Sequence, residues 1–117
     1  MTKAAYVLLI KYGMTFILAV ITLGFIDGNL WSWVLAVSVT AATLNYLLGD
    51  FYLMPRFGNA FASAANGALA VLTAYITGFI VQFFRAGPAT LAAFGVLVAV
   101  GEYFFHRYFM RSREVRP

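Results

Sequence analysis

Four apolar runs, roughly residues 4–26, 30–49, 60–84 and 88–110, fill almost all of this 117-residue chain. A helix needs about 20 mostly apolar residues to cross the hydrocarbon core of a bilayer, and each run supplies that many. Little chain is left for loops and none for a soluble domain. The expected fold is an all-α integral membrane protein, a single domain over residues 1–117 ending in a short Arg-rich tail. Connections this short force neighbouring helices to be antiparallel, so the expected arrangement is an up-down-up-down four-helix bundle.

Charge and composition narrow the chemistry. The chain is 63% hydrophobic and 10% charged, where a soluble domain carries about 25% charged residues. Lipid rather than water must therefore cover its surface. The absence of Cys excludes disulfides, thiolate metal sites and Cys nucleophiles. A single His excludes His-cluster metal sites and most acid–base dyads. The net charge of +4 sits at the helix ends, the pattern of topology signals rather than of nucleic-acid binding. The first run, with Lys3 and Lys11, offers no small-x-small cleavage site over residues 23–29 and is followed by three more runs, so it reads as a retained helix.

Basic residues then set the orientation. Lys3, Lys11, Arg56, Arg107, Arg111, Arg113 and Arg116 fall on one side of the expected bundle, and Arg85 alone on the other. The positive-inside rule puts both termini in the cytoplasm. Asp27-Gly28-Asn29 reads as a tight turn with Asn29 capping the second helix. Trp31 and Trp33 are placed at the outer interface, and Tyr103, Tyr108 and Phe109 in an inner aromatic belt. Pro88 suits a first helical turn.

Each run carries a seam of small or polar residues at helical spacing. These are Lys11, Thr15, Ala19 and Thr22 in the first, and Ser38, Ala42, Asn45 and Gly49 in the second. The third has Ser63, Gly67, Ala70, Ala74 and Gly78, and the fourth Ala92, Gly95, Ala99, Glu102 and His106. Small seams let membrane helices approach closely, which by itself is a packing role. The charged members ask for more. An isolated charge at the bilayer centre costs at least ~2.5–3.5 kcal/mol. Lys11 and Glu102 fall at similar depth, entering from helices that neighbour each other in a closed bundle, so a Lys11–Glu102 ion pair is expected with His106 one turn beyond. Asn45, Asp50, Asn59 and Asn66 share that level and suggest a polar vestibule. Ser38, Thr73, Thr77 and Gln82 leave the other half plain. A candidate polar or ion pathway thus comprises Lys11, Asn45, Asp50, Asn66, Glu102 and His106. For Lys11 the bland alternative is snorkelling to headgroups, and for Glu102 a structural ion pair.

The connection after the second run reads Gly49-Asp50-Phe51-Tyr52-Leu53-Met54-Pro55-Arg56-Phe57-Gly58-Asn59. Here Asp50 is expected to close the helix and Pro55 and Gly58 to break the chain. Asn59 is expected to cap the third helix, and an Asp50–Arg56 pair to pin the loop. On Gly49, Asp50, Pro55, Arg56, Gly58 and Asn59 this segment resembles the central motif of the YndM-like family. These are small, functionally uncharacterised four-helix membrane proteins of spore-forming Gram-positive bacteria. The early lysine and the overall length fit as well. The family pattern often has an acid early in the third helix, where this chain has Asn66. The resemblance implies a fold and a topology, with no activity.

No phosphate loop, nucleophile elbow, metal-ligand cluster or paired catalytic carboxylates can be read here, so neither an enzyme nor a cofactor or metal is expected. Two functions stand nearly level. One is a homo-oligomeric channel or transporter for a small ion or solute. The other is a non-transporting accessory protein that packs against partner helices. The expected partners are membrane lipids, with anionic headgroups at the C-terminal Arg cluster, and a second copy or another membrane protein.

Overall fold

The structure, a computed structural model, describes residues 3–107. It is all-helical there. Helix α1 (Lys3–Ala19) runs into a π-helical turn, Val20–Gly24. Helix α2 (Trp31–Leu44) continues through a π-helical segment, Asn45–Leu53, into the short α3 (Met54–Phe57). Helix α4 (Asn59–Ile80) and helix α5 (Pro88–Phe105) complete the chain. Four stretches are long and apolar enough to cross a membrane: Ala5–Gly24, Trp31–Phe57, Asn59–Ile80 and Pro88–Phe105. The fold measures 43 × 29 × 20 Å, longer than the ~30 Å hydrocarbon core.

The boundaries correct the sequence reading at its most informative place. Residues 50–57, expected to be loop, are helical. Pro55 has no N–H to give and its ring crowds the carbonyl one turn back, which would break an ordinary helix. The wider winding of Asn45–Leu53 leads the chain up to it without a break. The chain breaks at Gly58 instead, whose φ of +91° is open only to glycine without strain. Gly58, not Asn59, holds the cap position of α4, and no side chain caps it. Asn29 does not cap α2 either; Leu30 stands there without a side-chain cap bond. Helix α4 ends at Ile80 rather than Phe84, and Phe84 is buried beside the connection. Pro88 takes its place in the first turn of α5.

The packing is small inside and large outside. The main core joins Ala19, Ala41, Ala70 and Ala74 with Leu23, Val34, Val37, Phe94 and Val98. Leu9, Ile17, Leu72, Phe79 and Val96 are exposed. That distribution suits lipid as the surrounding medium, since van der Waals fit rather than exclusion of water then holds helices together. Glycines set the closest approach. A Cβ on Gly67 would stand 2.6 Å from the Gly95 carbonyl oxygen, and one on Gly95 would stand 2.5 Å from Val71 Cγ2. Ala70 and Ala74 are buried on the same face of α4 as Ser63 and Gly67. Gly78 is half-buried and has no such tight contact. Ala99 packs against Gly67, but Ala92 is exposed. The buried face of α5 runs through Thr90, Phe94, Gly95, Val98, Glu102 and Phe105, so Ala92 leaves the expected seam.

Where the first helix ends and the second begins, the connections clasp each other. Asn29 Nδ2 donates to the carbonyls of Leu23 at 3.0 Å and Arg85 at 2.6 Å, and Asn29 Oδ1 accepts the Arg85 N–H at 2.7 Å. Asp27 accepts from the Gly87 N–H at 2.9 Å and from the Thr90 hydroxyl at 3.0 Å. Trp31 is exposed, and Trp33 meets Phe83 edge-on at 6.0 Å. Of the expected inner aromatic belt, Tyr103 is exposed. Tyr108 and Phe109 lie outside the described residues, as do Arg111, Arg113 and Arg116 of the tail.

Candidate functional site

The π winding of residues 45–53 is what assembles the site. In an α-helix, residues five apart point to different faces. A π-helix bonds i to i+5, and Asn45, Gly49 and Asp50 all become buried together. Glycine at position 49 leaves room for the Asn66 amide, which a Cβ there would overlap. Asp50, expected to close the second helix and to belong to the polar pathway, is thereby turned into the interior.

There it meets side chains from α1 and from the end of α5. Lys11 Nζ stands 3.0 Å from Asp50 Oδ2 and also donates a short bond to Glu102 Oε2. The Phe105 ring lies against the ammonium, 4.8 Å from ring centre to nitrogen. Asn66 Nδ2 donates to the same Glu102 oxygen at 3.0 Å. His106 Nε2 lies 2.6 Å from Asp50 Oδ1 and 3.3 Å from Glu102 Oε2. Lys11, Asp50, Asn66, Glu102 and His106 are each at most 1% exposed, so the cluster is sealed from its surroundings. Glu102 Oε1 and Asn66 Oδ1 are buried without a hydrogen bond among the described residues. Asp50 Oδ2 faces the ammonium as a charge contact rather than an aligned bond.

The other ring nitrogen of His106 is equally engaged. Nδ1 lies 2.7 Å from Asn59 Oδ1 and 3.2 Å from Ser63 Oγ. Asn59 is oriented by its own amide nitrogen, which donates to the Tyr103 carbonyl at 3.0 Å. The Ser63 hydroxyl donates to Asn59 Oδ1 at 2.9 Å, which leaves its oxygen to accept from Nδ1. Both nitrogens thus face acceptors, and only the doubly protonated ring donates from both. In this geometry Lys11 and His106 supply two positive charges and Asp50 and Glu102 two negative ones. The quartet is neutral as a whole, which is how a buried charge set avoids an unpaired member.

Asp50, Glu102 and His106 offer ligand atoms within 4.8 Å of one another, enough in principle for a metal ion. The bonding argues otherwise. The ammonium of Lys11 already stands between the carboxylates, and the His106 nitrogen is turned to them as a donor. The set is an ion cluster with its own cation.

Several expected members fall elsewhere. Asn45 is buried but belongs to the helix contacts, its amide nitrogen donating to the carbonyls of Ala41 at 3.3 Å and Asn66 at 3.2 Å. Arg56 does not pair with Asp50. It is exposed, lies over the Tyr52 ring at 4.2 Å and reaches the Tyr52 carbonyl at 3.4 Å. Asn59 and Ser63, read as a cap and a packing residue, are the ones that hold His106. Their signal in the sequence was their spacing of four at the start of α4, which puts both on one face.

A family model described as "protein of unknown function (DUF2512)" matches residues 2–116. The chain belongs to the DUF2512 family. No curated protein and no solved structure matches it. The DUF2512 match spans Lys11, the π segment, Asn59, Ser63 and the Glu102–His106 turn alike, so the whole cluster lies inside the family's extent.

Proposed function

We propose that this protein is a small multi-pass protein of a bacterial cytoplasmic membrane that moves a small ion or solute, with proton exchange at the buried quartet. The observation that carries this reading is the quartet itself. Four ionisable groups are each at most 1% exposed; Lys11, Asp50 and Glu102 lie within helices apolar enough to cross a membrane, and His106 stands one residue past the last of them. Ionisable groups held inside a membrane are costly, and they recur in ion pathways and proton relays. In this reading the helices alternate in direction, both termini are cytoplasmic, and the Arg-rich tail meets anionic headgroups, each Arg adding about 1 kcal/mol near that surface. Four helices enclose little space, so the path would form between copies of the chain. The narrower kinship with the YndM-like proteins of spore-forming bacteria, resting on the Gly49–Asn59 motif, belongs to the same reading, as does the absence of enzymatic activity.

The test is flux of protons and small ions in proteoliposomes at varied pH, comparing wild type with Glu102→Gln. Protein-dependent flux that disappears in a folded, inserted Glu102→Gln variant is the expected result. A folded wild type that moves none of the ions offered sinks the reading.

The second reading, an accessory protein that packs against partner helices, draws on two surface grooves. One of 330 Å³ is lined by Ala60, Ser63, Ala64, Ala99, Val100, Tyr103 and Phe104. The other, of 430 Å³, is lined by Leu48, Tyr52, Leu53, Ala65, Ala68, Leu69 and Leu72. Both are apolar and sized for side chains of a neighbouring helix. Co-purification of a defined membrane partner with the flux-negative protein would favour it.

A further inference from the structure

In the interior, His106 bridges two chemically different environments. Its Nε2 faces two carboxylates, Asp50 at 2.6 Å and Glu102 at 3.3 Å. Its Nδ1 faces neutral acceptors, Asn59 Oδ1 at 2.7 Å and Ser63 Oγ at 3.2 Å. A carboxylate can take a proton; an amide oxygen, for practical purposes, cannot. From this asymmetry we infer that His106 is the proton-exchanging group of the quartet, and that Asn59 and Ser63 are positioning residues that fix Nε2 as the nitrogen that exchanges. The inference rests on the reading of the quartet as a proton-exchange site and names its working atoms.

The step balances within the cluster. The Nε2–H bond of the imidazolium breaks and an O–H bond forms on Asp50 Oδ1. The ring becomes neutral imidazole and the carboxylate becomes the acid, so the net charge does not change until that acid gives its proton to solvent, the loss that raising the pH drives. Glu102 Oε2 is the alternative recipient. Every packed element contributes a group: Lys11 from α1 holds both carboxylates, Asp50 comes from the π segment, Asn59 and Ser63 from α4, and Glu102 from the same helix as the ring. Through all of this the Nδ1–H stays with Asn59, because Asn59 Oδ1 offers only lone pairs. The hydrogen bond at one ring nitrogen decides which tautomer the other allows. When the ring is neutral it therefore carries its proton on Nδ1, opposite to the preference of a free histidine side chain in water.

One His in the chain makes the test direct. Protein labelled with ¹⁵N-histidine in lipid bilayers gives the ring signals of His106 alone, followed as pH is raised. The expected result is both nitrogens protonated at neutral pH, then loss of the Nε2 proton with Nδ1–H retained. In the Asn59→Ala/Ser63→Ala variant the neutral ring should shift toward the Nε2–H form, and Ser63→Thr with Asn59 kept, which retains both neutral acceptors, should hold the Nδ1–H form. A wild-type ring that turns to Nε2–H on deprotonation overturns the inference. So does a ring that keeps both protons at every pH the fold survives, since it exchanges nothing. The wild-type spectrum decides these points even where a variant does not fold. Failure of the transport reading is separately visible: a locked Nδ1–H tautomer in a protein without flux leaves the positioning intact and removes the transport.

Discussion

Two polar regions tie the helices together, and they work by opposite means. At the clasp, Asp27 and Asn29 spend their side chains on the backbone of the other connection, meeting the N–H groups of Arg85 and Gly87 and the carbonyl of Arg85. The clasp is partly exposed, and its one carboxylate satisfies the start of α5. In the quartet, charged side chain meets charged side chain, and the backbone there is already satisfied by the helices. The clasp solves a problem that every connection has. The quartet solves none, because apolar side chains in place of its four members and of Asn59, Ser63 and Asn66, which serve them, would leave no polar group to satisfy. A cluster that the fold does not require is the better candidate for function.

The comparison can be broken by substitution. The largest effect is expected for Lys11→Met, which strips the shared cation from two buried carboxylates. Loss of about 3–5 kcal/mol is expected for a broken buried pair, read as thermal unfolding in detergent. Adding Glu102→Gln to Lys11→Met should recover part of it, since Asp50 and His106 still balance. Unchanged melting of Lys11→Met would mean that the ammonium escapes to the headgroups and that the quartet is loosely held.

Next comes Gly49→Ala. The new methyl overlaps the Asn66 amide, and Asn66 is tethered to Glu102. Overpacking of this kind costs about 1–3 kcal/mol by the same measurement. Melting equal to wild type would show that Asn66 swings away freely and is no part of the cluster's frame.

The smallest effect is expected at the clasp. Asp27→Ala should cost roughly 0.5–1.5 kcal/mol, the net value of ordinary hydrogen bonds where water can replace a lost partner. If Asp27→Ala destabilises more than Lys11→Met, the ranking of the two regions is inverted and the quartet is not the stronger tie.

The four apolar stretches were legible because lipid-spanning length and composition leave a plain mark. The pairing of Lys11 with Glu102 was readable from their similar depth on helices expected to be neighbours. Asp50 was misplaced for a physical reason: a period of 3.6 assigns it to a helix end before a proline, whereas the π winding turns it inward. No residue pattern announces that winding in advance. Asn59 was placed at the level of the polar vestibule, but its role there was hidden by the same error. With residues 50–57 read as loop, it became a cap, and its bond to His106, 47 positions away, had no local sign. Ala92 followed the spacing of its seam but not the burial, because the buried face of α5 is set by Phe94 and Phe105 as much as by small residues.

The order in which a ribosome delivers these groups follows from where they lie along the chain. Chains emerge N-terminal end first. Lys11 comes out first, and Asp50 with the second helix, so a positive and a negative charge are available to each other before the third helix exists. Glu102 and His106 come last and together, again one negative and one positive. The charges of each half therefore cancel within that half. Once the second helix has emerged, a growing chain does not have to hold an unbalanced ion while it waits for the last helix, although the four-way contact closes only when that helix arrives.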